Sequence, residues 1–390
     1  MVEFENTEIA FKGKSSKDLR RAYWLFKIVA NPSAVKFGKW ATNFALKTHI
    51  PIKWAIKPTI FRQFCGGESI QESLQTSNSL AEYGIQTILD YSIEGKTKEE
   101  DFDKTVEEII ATIHEAKQNS NIPFAVFKIT GICRFEVLEN TNNSRENLSP
   151  ELASAYEKLK SRVEKICSEA YSCNVPIFID AEESWIQNSI DHIVREMSLK
   201  FNLNSPIVYN TIQLYRHDRL DFLKSQIEDA KTNNYQLGVK LVRGAYMEKE
   251  RERALEKNYP SPIHKDKEAC DKDFDLALRL VVENIGMVSV CAGTHNEESS
   301  KLLTQLLETN GLSHDDSRVL FAQLLGMSDH ISYNLANVNY KVAKYVPYGP
   351  IKEVLPYLIR RAEENTSVAG QTTRELSLIT KERERRKSNS

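Results

Sequence analysis

The feature that most constrains this chain is a recurrence. From Tyr83 onward, short apolar runs return eight times, at 84–90 (GIQTILD), 123–130 (PFAVFKIT), 175–181 (VPIFIDA), 207–214 (IVYNTIQL), 238–243 (GVKLVR), 286–292 (GMVSVCA), 318–325 (RVLFAQLL) and 338–345 (VNYKVAKY). Between them lie longer, charge-laced segments with helical periodicity, such as 151–174 and 266–284. Near-continuous apolar runs are the mark of strands buried on both faces, and strict β/α alternation favours parallel strands joined by helices. Eight such units predict a (βα)8 barrel. The competing architecture, an open doubly wound sheet, is weakened because no GxGxxG follows a strand.

The chain has 390 residues, more than one barrel of ~250 residues requires. The surplus lies mainly at the start. Within 1–65, Trp24, Phe26, Phe37, Trp40, Phe44, Trp54 and Phe61 alternate with Lys27, Lys36, Lys39, Lys47, Lys53, Lys57 and Arg62, broken by Pro32, Pro51 and Pro58. Short basic amphipathic helices of this kind can lie on an anionic bilayer or pack as an arm over a neighbouring domain, and the packed arm is the preferred reading. The expected organisation is a helical arm over 1–65, a barrel over 66–380 and a charged tail over 381–390.

Charge and cysteine content narrow the function. Lys plus Arg (52) nearly cancels Asp plus Glu (54), so the basic footprint of a nucleic-acid-binding protein is missing. The six cysteines show no CxxC and no paired zinc-ligand spacing, so a structural metal is not expected and the thiols suit a reducing compartment. The start, MVEFENTEIAFKGK, resembles neither a secretory signal nor a transit peptide, and no run approaches the ~18 apolar residues that span a bilayer. A cytoplasmic location is expected, with peripheral attachment to the inner face of the cytoplasmic membrane as the alternative.

Barrels carry function at the C-terminal ends of their strands. Polar residues gather there in this sequence. The second strand delivers Lys128, the third runs into Asp180-Ala181-Glu182-Glu183, and the fourth carries Gln213 and Tyr215. The fifth runs into Arg243-Gly244-Ala245-Tyr246, the sixth into Thr294-His295-Asn296, and the eighth is expected to end at Tyr345 before a PYGP turn. Beyond that turn, Tyr357, Arg360, Arg361 and Glu364 stand at i, i+3, i+4 and i+7 in PYLIRRAEEN. On a helix they share one stripe, and two adjacent guanidinium forks suit bidentate capture of a carboxylate or phosphate.

Taken singly, each feature has a plainer explanation. Lys128 and Asp180 interrupt apolar strands and could form a structural ion pair with each other. Arg243 to Tyr246 could be an ordinary βα turn, and His295 a satisfied loop histidine. Hydrolytic motifs are missing: no GxSxG, HExxH or Walker loop occurs. Lys128 could also form a Schiff base, as barrel lysines do in aldolases.

In order and placement, KLVRGAY (240–246), FIDAEES (178–184), the Gln-x-Tyr at 213–215, the Thr-His-Asn at 294–296, and YVPYG followed by PYLIRRAEEN together resemble the proline dehydrogenase family, over roughly residues 80–375. The resemblance implies a distorted (βα)8 TIM-type barrel with the last helix over its mouth, and FAD held without a Rossmann fold. It implies that Arg360 and Arg361, assisted by Lys128, clamp the substrate carboxylate. It further implies that Tyr246, Tyr345 and Tyr357 wall the pyrrolidine ring, that Asp180 anchors the same pocket, and that Glu364 orients the guanidinium groups. Ala181, Gln213, Lys240, Arg243, Gly244, Ala245, Thr294 and His295 match FAD-holding positions.

Two positions depart from the pattern. Lys240 stands where some members, notably bifunctional bacterial ones, carry Arg near flavin N5, and Met247 stands where some place a Trp against the adenine. The implied reaction is hydride transfer from C5 of L-proline to flavin N5, giving Δ1-pyrroline-5-carboxylate, with Lys240 stabilising the charge that develops on the flavin. The implied partners are a membrane quinone and a separate pyrroline-5-carboxylate dehydrogenase. The resemblance also implies that a phenol at Tyr345 fills the space that a ring hydroxyl would need, favouring proline over 4-hydroxyproline.

Overall fold

A computed structural model describes residues 2–47, 53–93, 96–143, 148–367 and 371–389. Each of the eight apolar runs supplies one strand. These are β1 (Ile85–Tyr91), β2 (Phe124–Lys128), β3 (Ile177–Asp180), β4 (Val208–Gln213), β5 (Leu237–Val242), β6 (Val288–Gly293), β7 (Val319–Leu324) and β8 (Val342–Tyr348). They close a barrel in chain order, with helices such as Pro150–Cys173 and Lys267–Glu283 in the connections. β1 pairs in parallel with β8, and β2 through β6 pair in parallel with their successors.

β8 begins and ends later than its pattern predicts. Residues 338–340 are spent closing the Asp329–Asn337 helix: Asn339 adopts a left-handed φ of 63° and its amide donates to Ala336 O at 3.0 Å. The strand then runs past Tyr345 through Pro347. A proline lacks only the donor, and the Pro347 carbonyl is used, accepting the Gly66 amide at 2.8 Å. The reversal falls instead at Gly349, where φ is 143°.

Aromatic side chains of β2, β3 and β4 pack against one another and against the backbone of β5. A Cβ on Gly238 would stand 2.6 Å from the ring of Tyr209, so only glycine admits that phenol. Tyr209 meets Phe124 and Phe178 edge-on at 5.2 and 5.3 Å, while those two rings stack at 4.4 Å. Such pairs add about 0.5–1.5 kcal/mol each beyond the area they bury.

The chain packs as two compact units, Gly95–Ala322 and Val2–Glu94 with Gln323–Ser390. In the second, the N-terminal arm is helical. Ser15 and Asp18 form a reciprocal capping box that starts the Ser16–Val29 helix, satisfying backbone donors the first turn leaves open. Its apolar stripe of Leu19, Ala22 and Phe26 joins a core containing Phe61, Phe64, Leu355, Leu358, Leu378 and Ile379. The segment expected as a charged tail is helical through Ser388, and its Glu382 is fully buried against Arg385 and Arg386 at 2.8 and 2.7 Å.

A buried charge network pins the same unit. Lys344, on β8 and without solvent exposure, pairs with Asp329 at 2.9 Å, and Asp329 also takes Lys14 at 2.9 Å. Burial alone would push the Asp329 carboxyl up, but the two lysines overcome it and hold the group far below its ordinary range.

Candidate active site

The end of β3 is the most constrained part of the first unit. Asp180 accepts from Lys240 Nζ, and this pair is nearly enclosed, with the two side chains 16% and 5% exposed. Asp180 therefore has a partner on β5, two strands away, rather than only the neighbouring Lys128 that the sequence suggested. The Lys240 ammonium also lies 5.3 Å from the centroid of Phe178. Beyond Asp180 the chain is fixed by side chains: the Glu182 amide donates to Gln187 Oε1 at 2.8 Å, and Gln187 Nε2 donates to Asp191 at 2.9 Å. Asp191 in turn accepts from Asn210 at 3.1 Å and from the buried Arg219 at 2.7 Å.

Glu182 itself is buried, and the resemblance assigns it no role although it sits in the FIDAEES motif. Its carboxylate accepts from the Thr130 amide at 3.0 Å and the Thr130 hydroxyl at 2.5 Å. Burial and the neighbouring Glu183 charge push its carboxyl up to about 7, against the opposing pull of Lys128. A buried carboxylate at the end of one strand thus senses the lysine at the end of another.

Glu250 adds a second unanticipated tie. It is fully buried and accepts from both the amide and the hydroxyl of Ser184 at 2.6 Å. A carboxylate there satisfies donors at the start of the Ser184–Phe201 helix and complements its positive end. Because Glu250 lies on the Met247–Lys257 helix, it joins the segment after β5 to the segment after β3.

The ends of β5 and β6 are joined by Arg243. Its Nε donates to Asp271 at 2.7 Å, Nη1 to Thr294 Oγ1 at 2.7 Å and Nη2 to Ser299 at 2.9 Å, while the guanidinium covers Phe274 at 4.3 Å. Three of the five guanidinium N–H groups are spent on holding the protein together. Gly244 follows with φ 134°, and a Cβ there would lie 2.4 Å from the Tyr215 ring. Gly244 and Ala245 are exposed, Tyr246 is half-buried at the start of the Met247–Lys257 helix, and His295 is half-buried beside the buried Thr294. Met247 is 39% exposed.

At the end of β4, Gln213 Oε1 is buried and has no hydrogen-bond partner among the described residues. A buried acceptor left unmet costs about 1–3 kcal/mol, so this oxygen suits a ligand that brings an N–H donor. An isoalloxazine ring has such a donor at N3. The exposed Gly244-Ala245 backbone and the remaining Arg243 donors suit an anionic, phosphate-bearing group. The residues of this unit therefore fit a flavin nucleotide.

The second unit holds the other expected residues. Tyr345 is buried on β8, and its carbonyl accepts the Leu325 amide at 2.8 Å. Tyr357, Arg360 and Arg361 fall on the Ile351–Ser367 helix, which begins earlier than PYLIRRAEEN and contains Pro356. Tyr357 belongs to the apolar core of this unit, and the Arg361 guanidinium lies 5.3 Å from its ring centroid, itself only 8% exposed. Glu364 lies on the same helix, with its side chain outside the described residues, as are those of Phe44 and Lys47 in the arm.

Comparison with known proteins shows the family and the fold. A family model described as "Proline dehydrogenase" matches residues 73–374. The chain is 33% identical to "Proline dehydrogenase 1, mitochondrial" of Dictyostelium discoideum, over 98% of this chain and 74% of that one. It is 29% identical to "Hydroxyproline dehydrogenase" of Xenopus laevis, over 96% of this chain and 88% of that one. Among solved structures, proline utilization A from Bdellovibrio bacteriovorus inactivated by N-propargylglycine aligns with a TM-score of 0.74 at 18% identity, covering 93% of this chain. The chain spans 38% of that protein's length, and the likeness is one of fold.

Proposed function

The chain belongs to the proline dehydrogenase family, and from that premise we propose that it oxidises L-proline to Δ1-pyrroline-5-carboxylate with FAD as its cofactor. The observation that carries the cofactor reading is the buried, unmet Gln213 Oε1 at the end of β4. In this reading Ala181, Gln213, Lys240, Arg243, Gly244, Ala245, Thr294 and His295 hold the flavin. Bound there, FAD supplies the two-electron acceptor for the hydride that leaves C5 of proline.

The chain's own residues bind, orient and balance charge. Arg360 and Arg361, with Lys128, take the substrate carboxylate as a planar anion. Tyr246, Tyr345 and Tyr357 wall the ring and exclude water, with Glu364 orienting the guanidinium groups. Holding C5 in a fixed pose is the larger part of the rate enhancement. Lys240 supplies positive charge at the reacting centre, and Asp180 fixes its ammonium in place. Proline's amine proton leaves to solvent. Electrons pass on to a membrane quinone, and the product goes to a separate pyrroline-5-carboxylate dehydrogenase. We place the enzyme in the cytoplasm. Separately, no helix among the described residues is long and apolar enough to cross a membrane.

The test is the visible spectrum of the purified protein, followed anaerobically as L-proline is added. Oxidised-flavin bands that bleach would support cofactor and substrate together, and a colourless folded protein would overturn the reading. A second reading, oxidation of 4-hydroxyproline, draws on the similarity to the Xenopus laevis hydroxyproline dehydrogenase. The buried Tyr345 phenol disfavours it. Tyr345→Ser should shift the kcat/KM ratio toward hydroxyproline by roughly tenfold, and an unaltered ratio would remove the steric argument.

A further inference from the structure

Residues 20–67 contain nine Lys and Arg and no Asp or Glu, whereas the rest of the chain holds 43 basic and 54 acidic side chains. The acids that border this stretch are already engaged. Asp18 holds Arg21 at 2.9 Å and Arg62 at 3.6 Å, and Glu68 holds Lys53 at 2.9 Å and Lys57 at 2.7 Å. Arg20, Lys27, Lys36 and Lys39 stand exposed between them.

The same stretch exposes large apolar side chains that folding does not need. Trp24 and Ile28 are 54% and 55% exposed, Phe37 and Trp40 66% and 60%, and Trp54 77%. Other exposed large apolar residues are scattered between Phe135 and Val338. The Ser16–Val29 helix is two-faced: Leu19, Ala22, Phe26 and Val29 are buried, while Arg20, Trp24, Lys27 and Ile28 form the outer stripe at i, i+4, i+7 and i+8. On the next helix, Pro32–Lys47, the rings of Phe37 and Trp40 lie 5.8 Å apart and are flanked by Lys36 and Lys39. Lys27 Nζ sits 5.2 Å from the Trp24 ring centroid.

We propose that this outer face of the N-terminal arm is a docking surface for an anionic lipid bilayer. Tryptophan rings favour the headgroup level, where an apolar body and a polar N–H are both accommodated. Lysine stems bury their methylenes while the ammonium reaches lipid phosphate. Charge decides against a second copy of the chain as the occupant, because an isologous contact would set these cations against themselves. The inference rests on this surface and not on the redox reading, although a bilayer-bound enzyme would have its quinone at hand.

The test uses the full chain and vesicles of phosphatidylcholine with or without phosphatidylglycerol, read by flotation and tryptophan emission. Binding should require phosphatidylglycerol, fall at high salt and be accompanied by a blue shift. Two variants separate the components: Trp24→Ser/Phe37→Ser/Trp40→Ser/Trp54→Ser, and Lys27→Gln/Lys36→Gln/Lys39→Gln. Each should weaken binding roughly tenfold or more while melting and L-proline-dependent reduction of a water-soluble dye stay at wild-type levels. Equal binding to neutral vesicles, no binding, or binding untouched by either variant overturns the proposal. A lipid-free dimer that the tryptophan variant dissolves would also overturn it, in favour of self-association. Loss of dye reduction with vesicle binding intact would sink the redox reading alone.

Discussion

Lys240 on β5 donates its ammonium to Asp180 at the end of β3, reaching past β4 to do so. The pair is nearly closed to solvent, so each charge depends on the other for its tolerance of burial. Removing one partner of such a pair costs about 3–5 kcal/mol, because the survivor is left charged and unmatched. Asp180→Ala should therefore lower unfolding stability by that order, while Asp180→Ala/Lys240→Met should recover much of the loss. Urea unfolding of the two single variants and the double variant measures the coupling. Strictly additive losses would mean that the ion pair has no energetic content.

Glu182 gives a pH dependence whose sign follows from its burial. Its carboxyl is raised from the ordinary range to about 7 in the folded protein, by burial first and by Glu183 second. The folded state therefore holds this proton more tightly than the unfolded chain does. The stability it contributes is complete below about pH 4.5 and is lost as pH rises through about 7. A raise of this size corresponds to roughly 3 kcal/mol. Glu182→Gln keeps an acceptor for the Thr130 amide and removes the titration, so between pH 5 and pH 8 its stability should fall by roughly 2–3 kcal/mol less than that of the wild type. Parallel pH–stability curves for wild type and variant would refute the assignment.

Arg361 offers a kinetic test of the carboxylate reading. A charged hydrogen bond is worth about 1.5–3 kcal/mol, so Arg361→Ala should raise KM for L-proline roughly 10- to 100-fold. The flavin content should not change, since Arg361, on the Ile351–Ser367 helix, is not among the residues read as holding the flavin. Steady-state kinetics with a soluble acceptor decides it, and an unchanged KM would take Arg361 out of the clamp.

The barrel was legible because burial on both faces writes itself into every strand as an apolar run. The pairings within the site were less so. Lys344 interrupts β8 as plainly as Lys128 interrupts β2, yet its partner Asp329 comes from a helix 15 residues upstream, and the second cation on Asp329, Lys14, from the distant N-terminus. No local spacing announces such a pair. Arg243 could be seen as a site residue, but that Asp271, Thr294 and Ser299 would share its guanidinium depends on where two helices and a strand end meet. Glu182 and Glu250 carried a usable signal, an acid beside a strand end or on the helix that follows one. Burial, which a sequence does not state for a lone acid, is what makes them important.

Gly244 joins sequence and geometry in a single position. Its φ of 134° is open to glycine and strained for any L side chain, and a Cβ would stand 2.4 Å from the ring of Tyr215. Tyr215 has little room to yield, because it is buried and its own backbone amide donates to Arg243 O at 2.7 Å. Gly244→Ala should therefore displace the 243–246 turn at a cost of about 1–3 kcal/mol in backbone strain. The barrel strands do not depend on this turn, so the variant should fold with a modestly lowered Tm and be purified with less flavin. The ratio of 450-nm to 280-nm absorbance, read beside a thermal melt, separates the two effects. Shrinking the ring with Tyr215→Leu in the same background should relieve the clash but not the φ strain, restoring flavin only in part. Full flavin content in Gly244→Ala would show that the turn tolerates a side chain and does not approach the cofactor.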